Sequence, residues 1–231
     1  MDFSGFEKLS LVDYDDNLTA TLFMAGCPFR CPFCHNGELV LHPERAATIP
    51  WEEIVTYLKK RQGVLDAVCV SGGEPTLMPD LEEKIAEIKS LGYKVKLDSN
   101  GFRPEVLKTL VSKGLLDYIA MDIKNSKLKY GLTCGVAVDM EQIEESVRFL
   151  MSSGIPYEFR TTCMAEFHDA SDFALISEWI AGAERYFLQR YIDSASCIQH
   201  NFHEIPLQKA KEYLEIVRST IPSAKLRGYD E

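Results

Sequence analysis

The sequence predicts an α/β protein of parallel strands joined by helices, either an open, partial (β/α)6 barrel of TIM type or a doubly wound sheet. Three observations carry this. Strand-like and helix-like runs alternate about six times along 231 residues, a pattern of parallel strands with right-handed crossovers. Six units fall two short of a closed eight-stranded barrel. Polar and cysteine-rich clusters follow successive strands, at the carboxyl ends where both architectures bind ligands. The length suits one domain, 1–231.

TATLFMA (19–25) is the first strand, β-branched and apolar. GCPFRCPFCHN (26–36) follows, and its two prolines argue for a wrapped loop rather than a helix. PWEEIVTYLKKR (50–61) is a helix, with proline at its start and acids in its first turn. DAVCVSGG (66–73) is a strand closed by two glycines. PDLEEKIAEIKSLG (79–92) is an amphipathic helix ended by glycine. A strand and turn follow at YKVKLDSNG (93–101), then a helix at 103–114 and a strand at LLDYIAMDIK (115–124). The helix at 139–154 leads to a strand at PYEFRTTC (156–163). A helix at 171–182, a strand at 185–192 and a last helix at 206–220 complete the chain.

Composition excludes some functions. With 46% apolar and 26% charged residues, the chain can bury a substantial core. A formal net charge of −10 argues against a nucleic-acid partner, because that affinity rests on lysine and arginine neutralising phosphates. A small basic pocket remains compatible with it. No apolar run approaches the roughly 20 residues that span a bilayer, so no membrane partner is expected. The acidic, interrupted N-terminus does not read as a signal peptide, so a cytoplasmic setting is expected. In a reducing compartment, clustered cysteines point to metal or catalysis rather than disulfides. Of seven cysteines, three share the 26–36 loop, while Cys69, Cys134, Cys163 and Cys197 stand singly and read as small packing residues.

Cys27, Cys31 and Cys34 are spaced C-x3-C-x2-C. Three thiolates can hold three irons of a [4Fe–4S] cube and leave the fourth iron open, the mark of a catalytic rather than a structural metal. Structural zinc is a second reading, with His35 as fourth ligand; it wants four ligands, usually as two separated pairs, and no second pair exists. Covalent haem is a third, since Cys31 to His35 fits C-x-x-C-H; it needs export and a distant axial ligand.

CPFRCPFC (27–34), CHN (34–36), SGGEP (71–75), DSNG (98–101) and MDIK (121–124) occur in this order, each at an expected strand end. On these motifs the chain resembles the radical S-adenosylmethionine (SAM) enzymes over about 17–220, and within them the activating enzymes of glycyl radical enzymes. It is similar above all to the activating proteins of anaerobic ribonucleoside-triphosphate reductases. The resemblance implies the partial barrel, with Cys27, Cys31 and Cys34 holding a [4Fe–4S] cluster and Phe33 as the motif's aromatic. It implies that Asn36 approaches SAM and that Gly72, Gly73 and Glu74 face its amino group. Asp98 and Ser99 would lie near its carboxylate or ribose, and Lys124 would pair with the carboxylate. Asp122 would share a monovalent cation with Asp98. Arg160 and Gln189 are further pocket candidates, although alternation along a strand leaves their faces open. His35 reads as a hydrogen-bonding neighbour of the cluster, and His168, His200 and His203 as surface or loop histidines.

The implied reaction is reductive cleavage of SAM to methionine and a 5′-deoxyadenosyl radical, which takes a hydrogen atom from a glycine of a transiently bound glycyl radical enzyme. A flavodoxin or ferredoxin-type reductant would supply the electron. No catalytic residue separate from the cofactors is required. Two rivals remain: a radical SAM enzyme acting on a small molecule, of the 7-carboxy-7-deazaguanine synthase kind, and a non-catalytic iron–sulfur electron carrier or sensor.

Overall fold

A computed structural model describes residues 2–229, so the outermost residues of the expected 1–231 domain lie outside the described residues. The chain enters through β1 (Gly5–Ser10), which pairs antiparallel with β2 (Thr19–Met24). From there every pairing is parallel. β3 (Ala67–Gly72), β4 (Lys94–Ser99), β5 (Tyr118–Asp122), β6 (Tyr157–Cys163), β7 (Tyr186–Arg190) and β8 (Lys225–Arg227) follow side by side in chain order. A strand order that never reverses has no switch point, which excludes the doubly wound alternative. β1 and β8 do not pair with each other, so the sheet stays open.

The sheet is also strongly curved. Ser71 of β3 and Gln189 of β7 line one cavity, although four strand steps of about 4.8 Å would hold them about 19 Å apart on a flat sheet. The expected six strands are β2–β7. β1 and β8 extend them at the edges, and neither carries a recognisable pattern: β1 is mostly exposed and β8 has three residues.

The long helices lie where expected: α2 (Trp51–Arg61), α3 (Leu81–Ser90), α4 (Pro104–Ser112), α6 (Met140–Ser153), α7 (Ala170–Trp179) and α8 (Leu207–Arg218). The five-residue helices α1 (Gly37–Leu41) and α5 (Tyr130–Cys134) were not anticipated, being too short to show a period. Asp139 caps α6 by accepting from the Glu141 N–H, and Asp169 with Asp172 forms a capping box on α7.

Strand alternation divides the sheet into two faces. On β4, Val95 and Leu97 join the apolar core that includes Ile85 and Leu107 of the covering helices, while Lys96 and Asp98 point into the curve. On β6, Phe159 is in the core and Glu158 and Arg160 are inside. Burying each large apolar side chain contributes about 1.5–3 kcal/mol, which holds the helices on the outer face.

The inner space ends in two cavities. The one at the amino ends of the strands, about 440 Å³, is covered by residues 12–17. Its charges are largely paired within the chain: Arg227 grips Glu158 through two hydrogen bonds of 2.7 and 3.0 Å, and Lys96 meets Asp98 at 2.7 Å. The other opens at the carboxyl ends. Among the described residues no helix is long and apolar enough to cross a membrane.

Candidate active site

The carboxyl-end cavity measures about 260 Å³. Its wall is the 26–36 loop after β2, together with the ends of β3 to β7. Of the residues singled out in the sequence, Cys27, Cys31, Cys34, Phe33, Asn36, Gly72, Gly73, Asp98, Ser99, Asp122, Lys124, Arg160 and Gln189 all line it. Glu74 does not.

The cysteine loop is fastened from several sides. The Gly26 N–H donates to Leu39, and the Gly26 carbonyl accepts from the Glu74 N–H at 2.8 Å, tying the loop to the turn after β3. Asn36 donates through Nδ2 to the Gly72 carbonyl at 2.7 Å. Gly73 packs so closely on this loop that a Cβ would run into the Gly26 carbonyl oxygen. Glycine is therefore required there for backbone contact between two loops, as well as for facing the cavity. From the far side, the segment after β7 donates from Ile198 and Gln199 to the carbonyls of Cys34 and Pro32.

The three thiols line one cavity and suit a multinuclear cluster, since a cube takes one thiolate at each of three irons. Burial pushes the Cys27 thiol up to about 12, with Glu74 adding to it, and raises Cys34 as well. Bound iron must therefore displace those protons, so cluster loading is coupled to deprotonation. Cys27 already has donors, the Phe29 N–H at 3.4 Å and Asn100 Nδ2 at 3.7 Å. Phe33 is buried, its ring 6.0 Å from that of Phe167, and supplies an apolar wall. His35 hydrogen-bonds the Ile192 carbonyl at 2.6 Å through Nε2.

Charges from three strands interlock across the cavity floor. The Arg160 guanidinium on β6 donates through Nε to Asp122 on β5 at 2.6 Å and reaches Asp98 on β4 at 3.2 Å. Lys124 closes the far side of Asp122 at 2.7 Å, and Lys96 the far side of Asp98. Burial opposes ionisation of both carboxyls, but Arg160 and the flanking lysines outweigh it, holding Asp98 below the usual carboxylate range and Asp122 well below it. Burial likewise opposes charge on Lys124, and Asp122 and Cys31 overcome it. Arg160 supplies positive charge between the facing carboxylates of Asp98 and Asp122.

One expectation is corrected. Glu74 is fully buried behind the cavity wall, where its carboxylate accepts from Thr76 N–H and Oγ, from Ser99 Oγ and from the Asn100 N–H. It locks the ends of β3 and β4 together and is not aimed at a ligand. His168, expected at the surface or in a loop, lies in the loop before α7 and is buried there: its Nδ1 accepts from the Met164 N–H at 3.3 Å, and Nε2 donates to the Lys124 carbonyl at 3.0 Å. Burial lowers its pKa, so the neutral ring anchors the backbone that presents Lys124. His200 and His203 are exposed, as expected.

Some cavity residues are not singled out by the sequence: Thr162 sits inside a strand whose inward face only the curvature reveals, and Ser71 and Asn100 belong to quoted motifs but read there as strand and turn. Gln189 brings a buried side-chain oxygen, Oε1, that has no hydrogen-bond partner within the described residues. An unsatisfied acceptor on a cavity wall is suited to a ligand N–H or O–H.

An open parallel barrel whose strand ends and three-thiol loop share one cavity defines an α/β enzyme built around an iron–sulfur cofactor. The family model described as "Radical SAM superfamily" matches residues 21–173. A Methanocaldococcus jannaschii protein, provisionally named a glycyl-radical enzyme activating enzyme, is 32% identical over 218 residues, covering 92% of this chain and 89% of its own. The pyruvate formate-lyase-activating enzyme of Staphylococcus aureus is 39% identical over 101 residues, 41% of this chain and 39% of that enzyme. Among solved structures, Streptococcus suis SuiB bound to S-adenosylmethionine shares the fold with a TM-score of 0.70 at 14% identity, covering 90% of this chain and 52% of SuiB. A domain of the pyruvate-formate lyase-activating enzyme from Bacteroides vulgatus has a TM-score of 0.59 at 19% identity, covering 71% of this chain and 99% of the domain. The chain belongs to the radical SAM superfamily, whose cofactors are a [4Fe–4S] cluster and SAM.

Proposed function

We propose that the chain activates a glycyl radical enzyme, using SAM and a [4Fe–4S] cluster held by Cys27, Cys31 and Cys34 to remove a hydrogen atom from a glycine of that partner. The observation that carries this is the single carboxyl-end cavity, in which a three-thiol loop faces the polar ends of five strands. When bound, the cofactor pair supplies one-electron cleavage of the sulfonium and the hydrogen-atom abstraction that follows.

The chain's own residues bind and orient. Lys124 presents a cation suited to a carboxylate, and its charge is secured by Asp122. Ser71 and Gly72 line the cavity, and the Ser71 hydroxyl, which donates to Asp98 at 3.0 Å, keeps lone pairs for an amino group. Gln189 offers its free oxygen to the nucleoside end or to an entering peptide. Phe33 and Phe29 keep water from the thiol loop.

The motifs favour anaerobic ribonucleoside-triphosphate reductase as the partner, and the names of the relatives raise pyruvate formate-lyase as the second candidate. A flavodoxin or ferredoxin-type reductant, a single catalytic domain and a cytoplasmic setting belong to the same reading.

The test begins with anaerobic reconstitution and reduction, followed by SAM and each candidate glycyl radical enzyme in turn. A glycyl-radical EPR doublet should form on one partner and vanish in Cys34→Ala. A cluster spectrum unaffected by SAM would favour an electron carrier. SAM cleavage without a radical on any candidate would favour a small-molecule enzyme.

A further inference from the structure

We infer that Asn100 is a positioning residue for the cluster: its side-chain amide donates a hydrogen bond to the sulfur of Cys27 and makes the cluster easier to reduce by one electron. The inference rests on the assignment of Cys27, Cys31 and Cys34 as the ligands. Asn100 is buried, and its Nδ2 donates to Cys27 Sγ at 3.7 Å, a separation suited to the large sulfur atom.

The other end of the amide fixes its orientation. Asn100 Oδ1 accepts from the Phe102 N–H at 2.9 Å. A backbone N–H can only donate, so it must meet the oxygen, and the NH2 group is left facing the sulfur.

Both partners of the bond are tied to one residue. The Glu74 N–H donates at 2.8 Å to the carbonyl of Gly26, next to Cys27, and the Glu74 carboxylate accepts from the Asn100 N–H at 2.7 Å. Buried Glu74 thus braces the donor against the acceptor. The turn that carries Asn100 is pinned again at the next residue: the Gly101 N–H donates to Ser99 Oγ at 3.1 Å, and Ser146 Oγ donates to the Gly101 carbonyl at 2.6 Å. The Phe102 ring packs edge-on against Phe29 of the cysteine loop, with centroids 5.9 Å apart.

The effect on the cluster follows from charge. An iron-bound thiolate has no proton and only accepts. A donor to a ligand sulfur stabilises the reduced, more negative cluster more than the oxidised one. The Phe29 N–H, 3.4 Å from the same sulfur, belongs to the backbone and stays in every variant. Asn100 is the donor that substitution can remove.

The test compares reconstituted wild type, Asn100→Ser and Asn100→Leu by iron and sulfide content and by EPR-monitored redox titration without SAM. Asn100→Ser keeps a short oxygen that can accept from the Phe102 N–H but falls short of Cys27. Asn100→Leu fills the space with no polar group. Iron content should be equal in all three. In both variants the reduction equilibrium should weaken by about tenfold, a drop of about 59 mV in midpoint for one electron. Unshifted midpoints would overturn the inference, and a shift in Asn100→Leu alone would overturn it in favour of a role in the turn. Should the variants fail to fold, pulsed EPR of the reduced wild-type cluster decides, with 15N in the asparagine side chains. Asn36 and Asn100 are the asparagines that line the cavity, so a 15N coupling that survives in Asn36→Ala supports the bond, and its absence refutes it. Full iron uptake by Cys27→Ala would refute the ligand assignment instead.

Discussion

Arg160→Met is the most informative perturbation of the cavity. The arginine is mostly buried and touches Asp122 at 2.6 Å and Asp98 at 3.2 Å, so its removal leaves two buried carboxylates facing each other. Breaking a buried ion pair costs about 3–5 kcal/mol. Lys96 and Lys124 remain on the outer sides of the two acids, which places the loss near the lower end, about 3 kcal/mol at pH 7. The pH dependence has a definite sign. In the wild type both acids have depressed values, so their contribution is present above the unfolded carboxylate value near 3.9 and is lost as pH falls through the folded value. In the variant that contribution is largely gone, and protonation relieves the stranded charges. The gap between the two proteins should therefore be widest at neutral pH and narrow as pH falls toward about 4. Urea unfolding of the reduced, cluster-free proteins measures it. With a slope of about 3 kcal/mol/M, the midpoint should drop by about 1 M. A variant within about 0.5 kcal/mol of wild type at pH 7, or a deficit that persists unchanged at low pH, would refute the reasoning. Arg160→Lys should recover only part of the loss, since an ammonium lacks the fork that reaches two carboxylates.

Gly73→Ala should cost about 1–3 kcal/mol, because its methyl group must push the Gly26 carbonyl away; thermal melts should show the loss, and an unchanged melting temperature would mean the loops are not in contact. Gln189→Leu removes an unpartnered buried acceptor, so cluster-free stability should hold or rise by up to about 1 kcal/mol, while SAM affinity measured by calorimetry falls. Lower stability with unaltered SAM binding would contradict that. Glu74→Gln should destabilise by about 1–3 kcal/mol through mismatched buried hydrogen bonds to Ser99 and Asn100, seen as a lower urea midpoint; weakened SAM binding at unchanged stability would instead put Glu74 at the ligand.

Much of the fold was legible in the sequence. β2–β7 and the six long helices are written in local periodicity, proline and glycine punctuation and capping acids, all of which act over a few residues. The site was legible where a motif is itself short, as with the cysteine loop and with Asp98, Ser99, Asp122 and Lys124 at strand ends. β1, β8, α1 and α5 were missed because each is too short or too irregular to repeat a pattern.

Other features depend on how the strands curl. Arg160 meets Asp122 across 38 residues of sequence, and no local pattern shows that an arginine on one strand will stand between acids on two others. Glu74 sits in a motif next to the cavity, yet its carboxylate turns back 26 residues away to the Asn100 N–H, because an unpaired buried carboxylate is costly and that donor lies within reach. Cys134 is buried in the core as a packing cysteine should be, yet its carbonyl also accepts from the Arg30 N–H and docks α5 on the cysteine loop, a contact no local pattern shows. Sequence alone determined the six central strands, the six long helices and the thiol-rich loop, since each follows from residues close along the chain. Curvature of the sheet decided which side chains face one another in the cavity, because that depends on the stacking of strands 4.8 Å apart rather than on spacing along any one of them.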